Sequence, residues 1–130
     1  MTDAKIESWR NLLVWQKAHA VTLLIYRLTK SFPADERFRL VDQLCRAAAS
    51  IPTNIAEGKG RSTTAEFCQF LIIARGSIEE TRYLILLARD LNYLTPADYD
   101  QIESACAEVS KMTNALIRSL RLKKLQPIPA

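Results

Sequence analysis

Apolar positions recur along this chain at steps of three and four residues, in four separate runs. Val14, Ala18, Val21, Ile25, Leu28 and Phe32 alternate steps of four and three, which predicts a helix over about 13–30 that packs on its neighbours at a shallow angle. Phe32-Pro33 stops it, and Asp35 is placed to cap a second helix over about 36–58. There Val41, Leu44, Ala48, Ile51 and Ile55 keep helical spacing on both sides of Pro52. A proline at that position removes the N–H that would bond the Ala48 carbonyl and crowds it, so one kinked helix is expected rather than two. Ala47, Ala48 and Ala49 leave room for a neighbouring helix at the bend. Gly58 and Gly60 are expected to end the helix by taking positive φ.

Thr63-Thr64-Ala65-Glu66 has the spacing of a capping box and opens a third helix over about 64–91. Its seam is Phe67, Leu71, Ala74, Ile78, Thr81, Ile85 and Ala88, flanked by a second stripe of Phe70, Ile73, Ser77, Leu84, Leu87 and Leu91. Gly76 lies between the two stripes. Glycine inside a helix costs up to about 1 kcal/mol against alanine, so a close helix approach is expected there. After a turn at Asn92-Tyr93-Leu94, Thr95-Pro96-Ala97-Asp98 combines a capping hydroxyl, a first-position proline and an acid in the first turn. The fourth helix, over about 96–122, carries Ile102, Cys106, Val109, Leu116 and Leu120. Residues 1–12 read as a lead-in, with Trp9 and Leu12 able to pack on the rest, and residues 123–130 as a tail. The expected fold is all-α: one domain over 1–130, an up-down-up-down antiparallel four-helix bundle with a Pro-kinked second helix. From Tyr83 to Ala88 the third helix is apolar around a whole turn, whereas one bundle core asks for an arc of about 100°. Either the fourth helix and the tail cover the surplus or another subunit does, and association is the expectation.

Composition narrows the chemistry. Hydrophobic residues make up 48% and charged residues 25%, as in ordinary globular domains, and no apolar run is long enough for a membrane span. Met1-Thr2-Asp3-Ala4-Lys5 lacks the apolar centre of a signal peptide. Cys45, Cys68 and Cys106 form no Cys-x-x-Cys pair and His19 is the single histidine, which argues against a disulfide framework, a zinc site or any other cofactor. They are most simply small core residues of a cytoplasmic protein. Glu79 and Glu80 are adjacent on a helix and point about 100° apart, so they make no acid/base couple. No catalytic constellation is present, and no enzyme is expected. The formal net charge is +4, with ten Lys/Arg against six Asp/Glu in residues 1–62 and eight against eight in 63–130. That imbalance reads either as a solvated surface or as a weak polyanion site.

The stretch from Gln43 to Gly58, QLCRAAASIPTNIAEG, and the stretch from Phe70 to Glu80, FLIIARGSIEE, resemble the two signatures of the large-subunit rRNA intervening-sequence proteins. These are small bacterial four-helix bundles, some of them encoded within insertions in the rRNA gene. Trp15 through Phe32-Pro33 matches their first helix in character, so the resemblance covers nearly the whole chain. It implies a homo-oligomer, a ring of five. The family is similar to the accessory protein of diversity-generating retroelements, a basic pentamer that works with a reverse transcriptase and nucleic acid. The implied partners are therefore the chain itself, RNA or DNA, and a nucleic-acid-handling protein.

Two groups of residues admit alternative accounts. Arg46, Asn54, Glu57, Arg61, Glu66, Arg75, Ser77 and Glu79 form either a shared site on facing helices or a structural network, with Asn54 or Ser50 satisfying the carbonyl freed by Pro52. The structural motif is read as Arg46, Pro52, Asn54, Glu57, Gly58 and Gly76. For phosphate contact, Arg118, Arg121, Lys123 and Lys124 come first, and Arg37, Arg39, Lys59 and Arg61 second. Cations at helix C-termini are also explained by the macrodipole and by carbonyl capping. The leading expectation is a homo-oligomeric bundle that binds nucleic acid non-specifically, and its rival is a protein-interaction scaffold whose charge is incidental.

Overall fold

Four helices meet in one core. The structure, a computed structural model, describes residues 8–125. A 3₁₀ turn at Trp9–Asn11 leads into α1 (Leu13–Leu28), and 3₁₀ turns at Thr29–Ser31 and Ala34–Glu36 connect it to α2 (Leu40–Lys59). Then come α3 (Thr64–Asp90) and α4 (Pro96–Leu125), with no strand among the described residues. The helices pack in chain order and α4 closes back on α1, the antiparallel up-down-up-down arrangement that short connections impose. The α3 seam is buried as its spacing requires, at Leu71, Ala74, Ile78, Thr81, Ile85 and Ala88. In α4 the buried face is Ile102, Cys106, Val109, Thr113 and Ile117, while Leu116 and Leu120 are only half-buried. The stripe thus turns one residue on from the expected Leu116.

The connections differ from expectation in three places. First, α2 starts at Leu40, not Glu36, and its first turn has no side-chain cap from Asp35. Arg37, Phe38 and Arg39 are all exposed, so no buried face holds that stretch in a helix. Second, neither Gly58 nor Gly60 takes positive φ; Gly60 is the C-cap at φ −79°, and Gly58 lies inside α2. Third, the positive φ falls on Asn92, at 65°. There Tyr93 N–H donates to Ala88 O and Asn92 N–H to Arg89 O, each at 2.9 Å, a Schellman arrangement that closes the end of α3.

Glycine is required for close approach at Gly58. A Cβ there would stand 2.7 Å from Phe70 Cβ and 2.9 Å from Phe67 Cδ1, so α2 and α3 meet at this point as no larger residue allows. The close approach expected at Gly76 is absent from the chain's own packing, since a Cβ at Gly76 would meet nothing within 4 Å. The start of α3 is capped as the sequence requires: Glu66 N–H donates to Thr63 Oγ1 at 3.1 Å. The Glu66 carboxylate accepts from the Thr63 hydroxyl at 3.1 Å. At α4, Asp98 N–H donates to Thr95 Oγ1 at 3.1 Å. The tail reading is shortened, because α4 continues to Leu125. Of the lead-in, residues 1–7 lie outside the described residues, while Trp9 packs against Trp15.

Candidate nucleic-acid interface

Pro52 sits within α2 without interrupting it. The carbonyl it leaves without a helical donor belongs to Ala48, which is fully buried. Neither Asn54 nor Ser50 repairs this. Asn54 Nδ2 donates to Ser50 O at 2.8 Å, and Ser50 Oγ to Ala47 O at 2.9 Å. The donor comes from α1: Thr22 Oγ1 lies 3.0 Å from Ala48 O and 3.1 Å from Ala18 O of its own helix, sharing its one proton between them, and is itself buried. Thr22 was legible only as a polar interruption in an otherwise apolar face.

The polar residues of the two signatures do not converge on one pocket. Arg46 pairs with Asp42 at 3.7 Å and Arg61 with Glu57 at 3.9 Å, both on the exposed surface of α2 and its end, where such pairs contribute little. Ser77 Oγ is hydrogen-bonded to Ser50 Oγ, tying α3 to α2. Arg75 Nη1 donates to Asn114 Oδ1 at 3.3 Å, tying α3 to α4. Glu79 accepts from Arg82 at 3.4 Å. Arg82 also grips Glu103 through Nε at 2.9 Å and Nη2 at 3.2 Å, a two-pronged bond that raises the guanidinium pKa still further. Beneath it the Cys106 thiol is pushed up to about 12, chiefly by burial, with Glu103 adding to the effect and Arg82 opposing it. Cys45 and Cys68 are buried too, so all three thiols are free and internal. Among the described residues no cluster of His, Cys, Asp and Glu is arranged to hold a metal ion, and no helix is long and apolar enough to cross a membrane.

Antiparallel packing sorts the basic residues into two ends. The loop after α2, the start of α1 and the far end of α4 share one end, because α4 runs parallel to α2. That end gathers Arg10, Lys59, Arg61, Arg118, Arg121, Lys123 and, by its place in α4, Lys124, against only Glu57 and Glu66 among the described residues. Its surplus of five equals the net charge of the described residues, so the remainder of them is neutral overall. Arg118, Arg121 and Lys123 are exposed, with no carboxylate partner among the described residues. The side chain of Lys124 lies outside the described residues. Arg61 places its guanidinium 4.7 Å from the Phe70 ring. Arg37 and Arg39 stand at the opposite end, Arg37 over the Phe38 ring at 5.6 Å, so the eight candidates do not form one surface.

Arg39 instead borders an open groove of about 700 Å³ between α2 and α3. Phe38, 86% exposed, and Leu87 and Leu91 supply its apolar surface, while Glu36, Asp42, Arg46 and Glu80 supply charges of both signs. The groove continues along one face of α3. Ile73, Gly76, Tyr83, Leu87 and Leu91 fall within about 80° of one another around that helix. Ile73 is 52% exposed, Tyr83 59% and Leu91 44%.

The fold and both signatures have counterparts. A family model described as 23S rRNA-intervening sequence protein matches residues 10–115. The solved structure of a protein with unknown function from the S23 ribosomal protein family, from Bacteroides thetaiotaomicron, is similar, with a TM-score of 0.76 and 27% identity over 82% of this chain and 96% of that one. No curated protein matches. The matched region runs from the 3₁₀ turn before α1 through most of α4 and includes both signature stretches, so the chain belongs to the 23S rRNA-intervening sequence protein family.

Proposed function

We propose that this protein is a non-enzymatic, self-associating helical bundle that binds RNA or DNA through the phosphate backbone, without reading sequence. The observation that carries the reading is the concentration of the net charge at one end, on Arg118, Arg121 and Lys123 with Lys59, Arg61 and Arg10 beside them. Cations grouped on a rigid end displace condensed counterions from a nucleic acid, which is the sequence-independent part of nucleic-acid affinity. The α2–α3 groove and the α3 stripe are the self-association surface in this reading, with Arg39 and Arg46 serving that contact. Its apolar centre and rim of mixed charge have the anatomy of a subunit contact. A ring of five, as the family resemblance implies, carries +20 in a cytoplasmic protein.

Light scattering and salt-dependent binding test the two halves separately. A particle larger than one subunit at micromolar concentration is expected. Affinity for generic RNA or DNA is expected to fall with salt at a log–log slope of about −0.7 to −0.9 per phosphate neutralised. Neutralising Arg118, Arg121, Lys123 and Lys124 flattens that slope without changing helicity. Absence of binding at about 50 mM salt, where phosphate attraction is strong, would falsify the nucleic-acid half. The exposed apolar groove would then favour the second reading, a scaffold that binds other proteins.

A further inference from the structure

A column of rings stands on the α1–α2 flank, beside the basic end. The Arg10 guanidinium lies 4.4 Å from the centre of the Trp9 ring. Trp9 meets Trp15 at 4.7 Å between ring centres, tilted by 59°. Trp15 in turn stacks on His19 at 5.0 Å, within 10° of parallel. The local sequence builds this column. Trp15 and His19 are four residues apart and so share one face of α1. Ser8 caps the 3₁₀ turn that folds Trp9 back, and Gln16 Nε2 fastens that turn by donating to Arg10 O at 2.9 Å.

Next to the column lies a mainly apolar cleft of about 410 Å³ that reaches Ala49, Pro52, Thr53 and Ala56 on α2. Its surface offers little to hydrogen-bond: Pro52 has no N–H, and Thr53 Oγ1 is turned to Ala49 O at 2.8 Å. Trp15 packs partly against the core, but Trp9 is only half-buried and His19 is exposed, so the demands of the core do not account for the outer members of the column. At the rim stands Glu57, whose charge is answered by Arg61. Flat rings with cations alongside match one kind of ligand, a flat π-system joined to a phosphate chain.

We propose that Trp9, Trp15 and His19 form a stacking platform for unpaired nucleobases, with Arg10, Lys59 and Arg61 holding the adjoining phosphates, so that the protein prefers single strands to duplexes. The proposal rests on the nucleic-acid reading above and adds to it the form of nucleic acid bound. A duplex keeps its base faces stacked within itself and has none to offer the column.

The test titrates the full chain, at about 50 mM salt, with an oligothymidylate of about 16 nucleotides, an abasic sugar-phosphate oligomer of equal length and a duplex. Both of the chain's tryptophans are in the column, so tryptophan emission, excited selectively over the tyrosines, reports on this site alone. The oligothymidylate is expected to quench that emission and to bind about 5- to 150-fold more tightly than the abasic oligomer, the range for one stacked base. The duplex binds no better than the abasic oligomer. His19→Ala, an exposed position, lowers the ratio while helicity stays unchanged. Equal affinity for the first two ligands without quenching overturns the platform and leaves the phosphate reading standing. No binding by any of the three overturns both. The comparison on the unaltered chain decides the matter even where a variant folds poorly.

Discussion

Two buried threonines bring out what a single hydroxyl does in this core. Thr22 donates to Ala48 O at 3.0 Å and so supplies the hydrogen bond that Pro52 withholds. Thr113, still more enclosed on α4, carries the one buried side-chain polar atom among the described residues that has no hydrogen-bond partner. Thr22→Val keeps the shape and strands a buried carbonyl, an expected loss of about 1–3 kcal/mol. Thr113→Val removes an unpaired hydroxyl and is expected to gain about 1 kcal/mol. Chemical denaturation of the two variants side by side checks this, and a Thr22→Val variant as stable as the parent would contradict the assignment of Thr22 as the donor. Cys106 gives a second check at this scale. Burial raises its thiol from 9.0 to about 12, so the unfolded chain loses its proton first as pH rises. The neutral thiol therefore stabilises the folded state fully below pH 9, and that contribution is lost between pH 9 and about 12. Cys106→Ala is expected to lose stability less steeply across this window. Equal slopes would mean that Cys106 is not shielded from water.

The helices were legible in the sequence because burial and periodicity agree along them. Val14, Ala18, Val21 and Ile25 in α1, and the α3 seam from Leu71 to Ala88, are buried where their spacing puts them. What periodicity could not supply was which helix meets which at a given level, and the two glycines show the consequence. Gly58 stands in the signature before a charged loop and reads as a terminator, yet its missing side chain lets Phe67 and Phe70 of α3 lie against α2. Gly76 stands in mid-helix and reads as a contact, yet its surroundings in the subunit are open. Gly58→Ala is accordingly expected to destabilise the fold by about 1–3 kcal/mol through overpacking, despite the better helix propensity of alanine. Gly76→Ala is expected to leave the subunit's own packing intact and to gain up to about 1 kcal/mol from propensity. Thermal melts in which Gly58→Ala is neutral would mean that α2 and α3 can part at that level without loss.

At the scale of the whole molecule, the candidate surface was only partly legible. The sequence lists Arg118, Arg121, Lys123, Lys59 and Arg61 in two distant stretches, and only the antiparallel order of helices sets them on one end. The same order sends Arg37 and Arg39 to the other end, beside the groove. Arg10 is not legible from the sequence, because a lone cation in a lead-in has no periodicity to mark it. In the proposed reading, the groove and the α3 stripe bring subunits together and the basic ends face outward for a polyanion. If so, affinity depends on assembly, since each subunit alone is a weak binder and several on one particle raise one another's effective concentration. Gly76→Leu and Tyr83→Glu are suited to separating the two functions, because both positions are exposed and neither change touches the charge of the basic end. Each is expected to reduce the particle to smaller species in light scattering while circular dichroism stays unchanged. Affinity for a long RNA is expected to fall with it by about 10²–10⁴-fold, whereas affinity for an oligonucleotide that spans a single subunit changes little. Smaller species with undiminished affinity for long RNA would show that one subunit suffices for binding, and unchanged particles would place the subunit contact elsewhere than on α3.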